Sequence, residues 1–176
     1  NAEAYWSFDS EKLVFQANNP AWGTGCDQIF WMDLEADATE KAEGLNQISN
    51  GQGRTTCAYF LPGDTTVVFA STHLADTLCP EVPPRGPKGE YVWPIYEGYD
   101  VFTYDLEGNA IAQLTFEPGY DAEATVSPTG DRMVFTSTRS GDLELYTCAL
   151  DGSEGVRVTN ELGYDGGAFV SPDGSR

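Results

Sequence analysis

The chain has 176 residues, with nine Lys plus Arg against 28 Asp plus Glu and a formal net charge of −19. This length supports one domain with a hydrophobic core. So anionic a chain repels nucleic acid and acidic membranes, and it favours solubility, divalent cations or a basic partner. This charge leads us to expect no nucleic-acid binding. No apolar run approaches the roughly 20 residues of a membrane-spanning helix, so we also expect no membrane insertion.

A sequence repeat organises the chain. Residues 121–130 read DAEATVSPTG and recur at 165–174 as DGGAFVSPDG, an offset of 44 residues. The same opening is recognisable around Ala4 and Ala58, in more diverged form. Self-similarity at this period is typical of β-propellers, whose blades each contain four strands.

Short segments rich in β-branched and aromatic residues follow each opening and are bounded by Gly, Pro, Asp or Ser. This pattern predicts strands rather than helices. In chain order the predicted strands are 13–17, 29–34, 58–61, 67–71, 101–106, 124–127, 133–137 and 145–149, and a short last strand ends each repeat near Ile48, Leu114 and Val158. The side chains expected to be buried between sheets are those of Phe15, Phe69, Phe135, Leu34, Leu106 and Leu150.

The predicted fold is therefore an all-β propeller of four-stranded blades, with three full blades and the start of a fourth. The repeats cover about 1–54, 55–121, 122–165 and 166–176, and the second carries an insertion at 72–99. Propellers typically close with four to eight blades. We expect a fragment of a longer propeller; the alternative is several copies that assemble into a ring through contacts that complete it.

The third repeat carries a recognisable family pattern. Residues 127–146, followed by Leu150-Asp-Gly and Val158-Thr, resemble the TolB-like propeller repeat: Ser-Pro-Asp-Gly, an apolar strand, Ser-x-Arg-x-Gly, a second strand, Asp-Gly, then Leu-Thr. The resemblance is close over 122–176 and loose over 1–121, where the Ser-Pro-Asp-Gly turn is absent. It implies a six- or seven-bladed, usually exported propeller, of which this chain is expected to be a fragment. The namesake is periplasmic and binds partner proteins of the cell envelope, and similar propellers precede the catalytic domains of prolyl-oligopeptidase-like peptidases.

The strand order predicts where a partner binds. The start of each first strand and the link between strands two and three lie on one face, which we call the upper face. The predicted partner-binding residues there are Tyr120, Asp121, Glu123, Tyr164, Asp165, Arg139, His73 and Trp93. Trp93 belongs to the Pro- and aromatic-rich insertion, which forms either a recognition lip or a small satellite core.

Several of these residues have alternative interpretations. Asp121, Glu123 and Asp165 are weak candidates for a Ca²⁺ site, because oxygen ligands suit that ion, or they make strand-start hydrogen bonds. Arg139 either anchors an acidic ligand or forms an inter-blade salt bridge with Asp121 or Asp165. His73, the only histidine, is either a binding residue or a surface loop residue.

The four cysteines complete the expectations. A disulfide is predicted between Cys57 and Cys79, with Cys26 on the same face as the competing partner, and Cys148 is expected to be a small buried hydrophobe. No nucleophile elbow is present. We therefore expect a non-catalytic periplasmic or extracellular propeller that binds a protein or glycan at its upper face and pore. The alternative is the gating propeller of a larger hydrolase, such as a prolyl-oligopeptidase-like peptidase.

Overall fold

The computed structural model of the chain describes residues 2–34, 44–90 and 92–176. Its regular structure consists of three four-stranded antiparallel sheets, each with its strands in chain order, and one 3₁₀ turn at Pro20–Trp22. The first blade contains β1 (Ala2–Trp6), β2 (Lys12–Ala17), β3 (Gln28–Asp33) and β4 (Leu45–Gln47). The second contains β5 (Thr55–Phe60), β6 (Thr66–Ser71), β7 (Asp100–Asp105) and β8 (Ala110–Gln113). The third contains β9 (Asp121–Val126), β10 (Arg132–Ser137), β11 (Glu144–Ala149) and β12 (Val156–Arg157).

This architecture confirms the predicted all-β fold of propeller blades. Each predicted strand overlaps an observed one, although β5 and β9 begin three residues earlier than expected. Residues 166–176, the opening of the fourth repeat, contain no strand and lie against the third blade, where Thr125 Oγ1 donates a hydrogen bond to the carbonyl of Ala168 (2.6 Å). Within the described residues, no helix has the length and apolar character needed to cross a bilayer.

The turn between the first two strands is the same in all repeats, although its sequence is not. The backbone N–H of the fourth turn residue donates to the carbonyl of the first. The pairs are Ser10 to Ser7, Asp64 to Leu61 and Gly130 to Ser127. The fourth residue has a left-handed backbone in each repeat, with φ of 63° at Ser10, 56° at Asp64 and 70° at Gly130. Ser-Pro-Asp-Gly is therefore one of several sequences that fit this turn.

The hydrophobic core lies between blades, and strand β6 of the second blade buries both of its faces. On β6, Val67 and Phe69 pack toward the first blade, whereas Val68 and Ala70 face the third. The first interface joins Val14, Ile29, Ile48, Ala58, Phe60, Val67, Phe69 and Phe102. The second joins Val68, Val101, Ala124, Val126, Met133, Phe135, Tyr146 and Cys148. Alternation with a period of two residues places successive side chains on opposite neighbours.

The predicted core residues are only partly confirmed. Phe69 and Phe135 are fully buried, and Phe15, Leu106 and Leu150 are partly buried. Leu34 is 39% exposed, so its predicted burial is wrong. Leu106 and Leu150, at the same repeat position, pack against the interface with the preceding blade, whereas Leu34 belongs to the first of the three described blades and has no such interface among the described residues.

Candidate functional site

A β-bulge interrupts the first strand of every blade at the same repeat position. The register between strands one and two shifts so that two residues oppose one phenylalanine, which is Phe15, Phe69 or Phe135 in turn. The bulged residues are Glu3, Cys57 and Glu123, with φ of 50°, 54° and 59°, and Gly167 has the matching φ of 63° in the fourth repeat. A left-handed conformation at a non-glycine residue costs of order 1–3 kcal/mol and is frequent at functional sites. Bulges also redirect side chains, and all four bulge positions line one pocket.

Both carboxylate oxygens of Glu123 accept hydrogen bonds within the protein. Its Oε2 accepts hydrogen bonds from Thr136 Oγ1 (2.7 Å) and from the N–H of Gly167 (2.9 Å), the bulge residue of the next repeat. The hydroxyl of Tyr164 donates to Oε1 (2.7 Å). Burial and this bond to Glu123 raise the pKa of Tyr164. Glu123 thus joins adjacent repeats and is itself buried.

Glu3 repeats this bond but keeps part of its carboxylate open. Its Oε2 accepts the N–H of Cys57 (2.9 Å), the bulge residue of the next blade, and lies 3.1 Å from Thr56 Oγ1. Within the described residues, Oε1 of Glu3 makes no hydrogen bond. Glu3 is only partly buried. Two glutamates at one repeat position therefore differ in how much of the carboxylate remains available.

Two pockets adjoin the bulges and share Glu3 and Trp93. The first, which we call the pore pocket, has a volume of about 160 Å³ and is lined by Glu3, Tyr5, Cys57, Ala58, Tyr59, Trp93, Glu123, Ala124, Thr125, Tyr164, Gly167 and Phe169. The second, the rim pocket, has a volume of about 330 Å³ and is lined by Glu3, Gln16, Asp27, Arg54, Thr55, Thr56, Trp93, Pro94, Tyr96, Tyr99 and Tyr120. Residues from all three blades and from the insertion meet here, on the predicted upper face.

An ion pair and a disulfide fix the wall of the rim pocket. Arg54 Nη2 lies 2.7 Å from Asp27 Oδ2, and Arg54 Nη1 donates to the hydroxyl of Tyr96 (3.1 Å). The Nε of Arg54 is buried without a hydrogen-bond partner in the described structure, which is costly for a charged group. Next to Asp27, Cys26 forms a disulfide with Cys79 of the insertion.

The observed disulfide corrects the predicted pairing. Cys79 bonds to Cys26, the competing partner, and not to Cys57. Cys26 lies on the loop between β2 and β3 at the rim, whereas the bulge turns Cys57 into the pore pocket. Burial and the nearby Glu3 raise the pKa of the Cys57 thiol, which disfavours its reactive thiolate. Cys148 is buried and free, as expected, and burial raises its pKa to about 11.

Arg139 forms the expected salt bridge with Asp121, but the bridge lies within one blade and does not join two blades as predicted. Its Nη2 lies 2.7 Å from Asp121 Oδ2, and its Nε donates to Ser137 Oγ (2.8 Å). The guanidinium also covers the rings of Phe135 and Tyr146 at 5.1 and 4.9 Å. Asp121 is 1% exposed, and burial raises its pKa despite the favourable charge of Arg139. Arg139 and Asp121 therefore pair with each other inside the third blade.

His73 occupies the repeat position of Arg139 and is not the exposed loop residue that was expected. Its ring packs on Phe102 with centroids 4.5 Å apart, and its Nδ1 lies 2.8 Å from Ser71 Oγ, just as Arg139 contacts Ser137. Only 9% of His73 is exposed, and burial lowers its pKa. It lines neither of the two pockets.

The structure does not assemble the predicted calcium site. In the described ranges, no three His, Cys, Asp or Glu side chains are grouped so that they could hold a metal ion. Asp121 forms a salt bridge with Arg139, and Glu123 accepts a hydrogen bond from the Tyr164 hydroxyl. Asp165 lines neither pocket. The bulge separates the first two, because a left-handed residue breaks the alternation that would place Asp121 and Glu123 on one side.

Of the predicted binding residues, the pockets bring together Tyr120, Glu123, Tyr164 and Trp93. The sequence analysis missed Glu3, Asp27 and Tyr96. For Glu3 a signal was present, since residues 3, 57 and 123 immediately precede the aligned alanines Ala4, Ala58 and Ala124. Asp27 and Tyr96 lie in loops of unequal length, where repeat alignment gives no position.

Comparison with solved structures supports a TolB-like β-propeller. TolB from Acinetobacter baumannii superposes with a TM-score of 0.66 at 18% identity, covering 98% of this chain and 35% of that one. Puromycin hydrolase gives 0.57 at 15% identity, over 91% of this chain and 23% of that one. The acylaminoacyl peptidase of Pyrococcus horikoshii gives 0.52 at 14% identity, over 90% and 24%. No family model and no curated protein matches the sequence. The chain thus spans 35% of the length of TolB and about a quarter of the length of each enzyme. The likeness concerns the fold alone.

Proposed function

We propose that this chain is a non-catalytic, exported propeller module that binds a protein or glycan partner through the pore and rim pockets. The observation that carries this proposal is their shared lining: Trp93, whose side chain is 58% exposed, and Glu3, whose carboxylate is only partly bonded, line both pockets. An exposed aromatic residue among convergent polar groups is the usual composition of a binding pocket. The Cys26–Cys79 disulfide supports an oxidising compartment.

The chemistry of the buried polar groups favours binding over catalysis. The Ser71 and His73 pair is the arrangement closest to a nucleophile and base, but both residues are buried and the ring packs on Phe102. A hydrolase needs its nucleophile open to substrate and an acid that orients the base. Asp121, Glu123 and Arg139 serve internal contacts and are positioning residues for the pockets rather than partner contacts.

The second candidate is the gating propeller of a larger hydrolase, and the likeness to puromycin hydrolase and acylaminoacyl peptidase favours it. In that role the same pockets select or admit substrate. The sequence of the full gene tests this candidate, since a segment with a Gly-x-Ser-x-Gly nucleophile elbow would establish it.

Array binding tests the leading proposal. The chain is applied to immobilised peptide and glycan arrays next to the variant Trp93→Ala, which removes the exposed ring that lines both pockets. We expect at least one probe class to bind the parent chain and to lose binding in the variant, while the melting temperature stays within about 3 °C. Equal binding by both proteins, or binding to neither array, would refute the proposal.

A further inference from the structure

From the charge and lining of the rim pocket, we infer that it accepts a cationic side chain, a lysine or arginine of a basic peptide segment, against the Trp93 ring and the Glu3 carboxylate. This inference rests on the proposed binding function and names the ligand class. The cation sits at the wall that the two pockets share.

The charges around the rim pocket leave one carboxylate unbalanced. Three charged side chains line it: Glu3, Asp27 and Arg54. Arg54 and Asp27 neutralise each other at 2.7 Å. Glu3 lines the pocket, has no cationic partner among the described residues, and has one carboxylate oxygen that makes no hydrogen bond there. A ligand that brings a positive charge therefore completes the site, whereas an anionic ligand would face the net negative charge of Glu3.

The aromatic lining suits the same cation. Tryptophan is the best ring for a cation–π contact, and Trp93 is 58% exposed at the pocket wall. The pocket already contains one such contact, since the guanidinium of Arg54 lies 5.6 Å from the centroid of Tyr96. Tyr99 and Tyr120 also line the pocket, and their hydroxyls, which make no hydrogen bond within the described part of the chain, can each accept one from an N–H donor.

The charge of the whole chain favours a basic partner. A formal net charge of −19 attracts a basic segment over long range and raises its association rate at low ionic strength. A neutral glycan gains nothing from that field. A charge-dependent affinity therefore separates the two classes of ligand.

The test uses two acetylated and amidated nonapeptides that differ only in three positions, which are lysine in one and norleucine in the other. Affinity is measured by fluorescence titration of labelled peptide at about 20 mM and about 200 mM salt. We expect the lysine peptide to bind at least tenfold more tightly than the norleucine peptide at low salt and to lose most of that advantage at high salt. Maltohexaose serves as the neutral glycan probe.

Two variants locate the cation. Trp93→Ala and Glu3→Gln should each weaken binding of the lysine peptide about fivefold, within the usual range of cation–π and charge-pair contributions. Their matched controls are Trp6→Ala, since Trp6 is equally exposed at 59% but outside both pockets, and Glu97→Gln, which removes an exposed charge from the same insertion. The controls should stay within about twofold of the parent chain, apart from a uniform loss of charge attraction.

Three results would overturn the inference. Equal affinity for the two peptides would show that no cation is selected. Lysine-peptide binding that Glu97→Gln weakens as much as Glu3→Gln would show a diffuse charge effect. Binding of maltohexaose that depends on Trp93 but not on Glu3, without lysine selectivity, would replace the cation by a glycan and leave the proposed function standing. If no probe of either class shows Trp93-dependent binding, both the inference and the proposed function fail.

Discussion

Glu3 and Glu123 occupy the same position in two repeats, yet the structure gives them different roles. Both lie in a β-bulge with a left-handed backbone, and both accept the N–H of the next bulge residue at 2.9 Å. Glu123 is closed by Tyr164 and Thr136, whereas Glu3 faces both pockets. A repeat can thus fix the direction of a side chain while its neighbours decide whether the group stabilises the fold or meets a ligand.

The largest expected effect on the free energy of unfolding comes from removing the disulfide that holds the insertion to the first blade, near Glu3. The Cys26–Cys79 bond spans 53 residues and ties the first blade to the insertion. The double variant Cys26→Ser/Cys79→Ser should lose about 4 kcal/mol of unfolding free energy in the chain-entropy model, measured by urea denaturation. Cys57→Ser should lose far less. If non-reducing peptide mapping found Cys57 bonded to Cys79, this account of the rim would be wrong.

The next effect concerns the closed carboxylate. Glu123→Ala leaves the N–H of Gly167 and the hydroxyls of Thr136 and Tyr164 without their acceptor. We expect a loss of about 3 kcal/mol in urea denaturation, since breaking a buried charged hydrogen-bond network costs on the order of 3–5 kcal/mol and Tyr164 is partly exposed. A change under about 1 kcal/mol would mean that the network does not hold the fourth repeat.

A smaller effect is expected at the open carboxylate. Glu3→Ala removes the acceptor of the Cys57 N–H, but both residues are only partly buried and line the pore pocket. The unfolding free energy should fall by about 1 kcal/mol, the usual value for one partly exposed hydrogen bond. A loss as large as that of Glu123→Ala would contradict the distinction between the two glutamates.

The smallest effect is a pH dependence that separates buried from exposed carboxyls. Folding raises the pKa of Asp121, because burial outweighs Arg139, and it lowers the pKa of the fully exposed Asp173 to about 2 through hydrogen bonds from Ser171 and Ser175. The contribution of Asp121 is complete below the unfolded pKa of about 3.9 and is lost as pH rises through the folded value. That of Asp173 is present above about 3.9 and is lost as pH falls toward 2.

Urea denaturation across pH 2 to 7 measures these opposite slopes. Asp121→Asn should reduce the decline in stability as pH rises above about 4, and Asp173→Asn should reduce the decline as pH falls below about 4. Slopes that change in the same direction for both variants would contradict the assigned pKa directions.

The fold was predictable because the repeat carries most of its structural information. The Thr of the Leu-Thr motif has a clear reason: Thr115 Oγ1 accepts the N–H of Val101, as Thr159 accepts that of Leu145, and so each anchors the third strand. The left-handed turn residue was hidden, because Ser10 and Asp64 fill a position usually given to glycine.

The site was less predictable, since it depends on contacts outside the repeat. The bulge appears only in the strand register, and its effect was to remove Glu123 and Asp121 from a shared face. The pairing of Cys79 depends on loops whose lengths differ between repeats, and Asp27 and Tyr96 reach Arg54 from two such loops. Sequence spacing does not determine distances between loops of unequal length.

The most direct test of this account measures stability and affinity on the same two variants, Glu3→Gln and Glu123→Gln. Each keeps the size of the side chain and one acceptor oxygen while it removes the charge. Glu3→Gln should weaken the lysine peptide about fivefold and change the unfolding free energy by less than about 0.5 kcal/mol. Glu123→Gln should cost about 1–3 kcal/mol and leave the affinity of the folded chain within about twofold. The reverse pattern, or equal losses of affinity in both variants, would contradict the separate roles of the two glutamates.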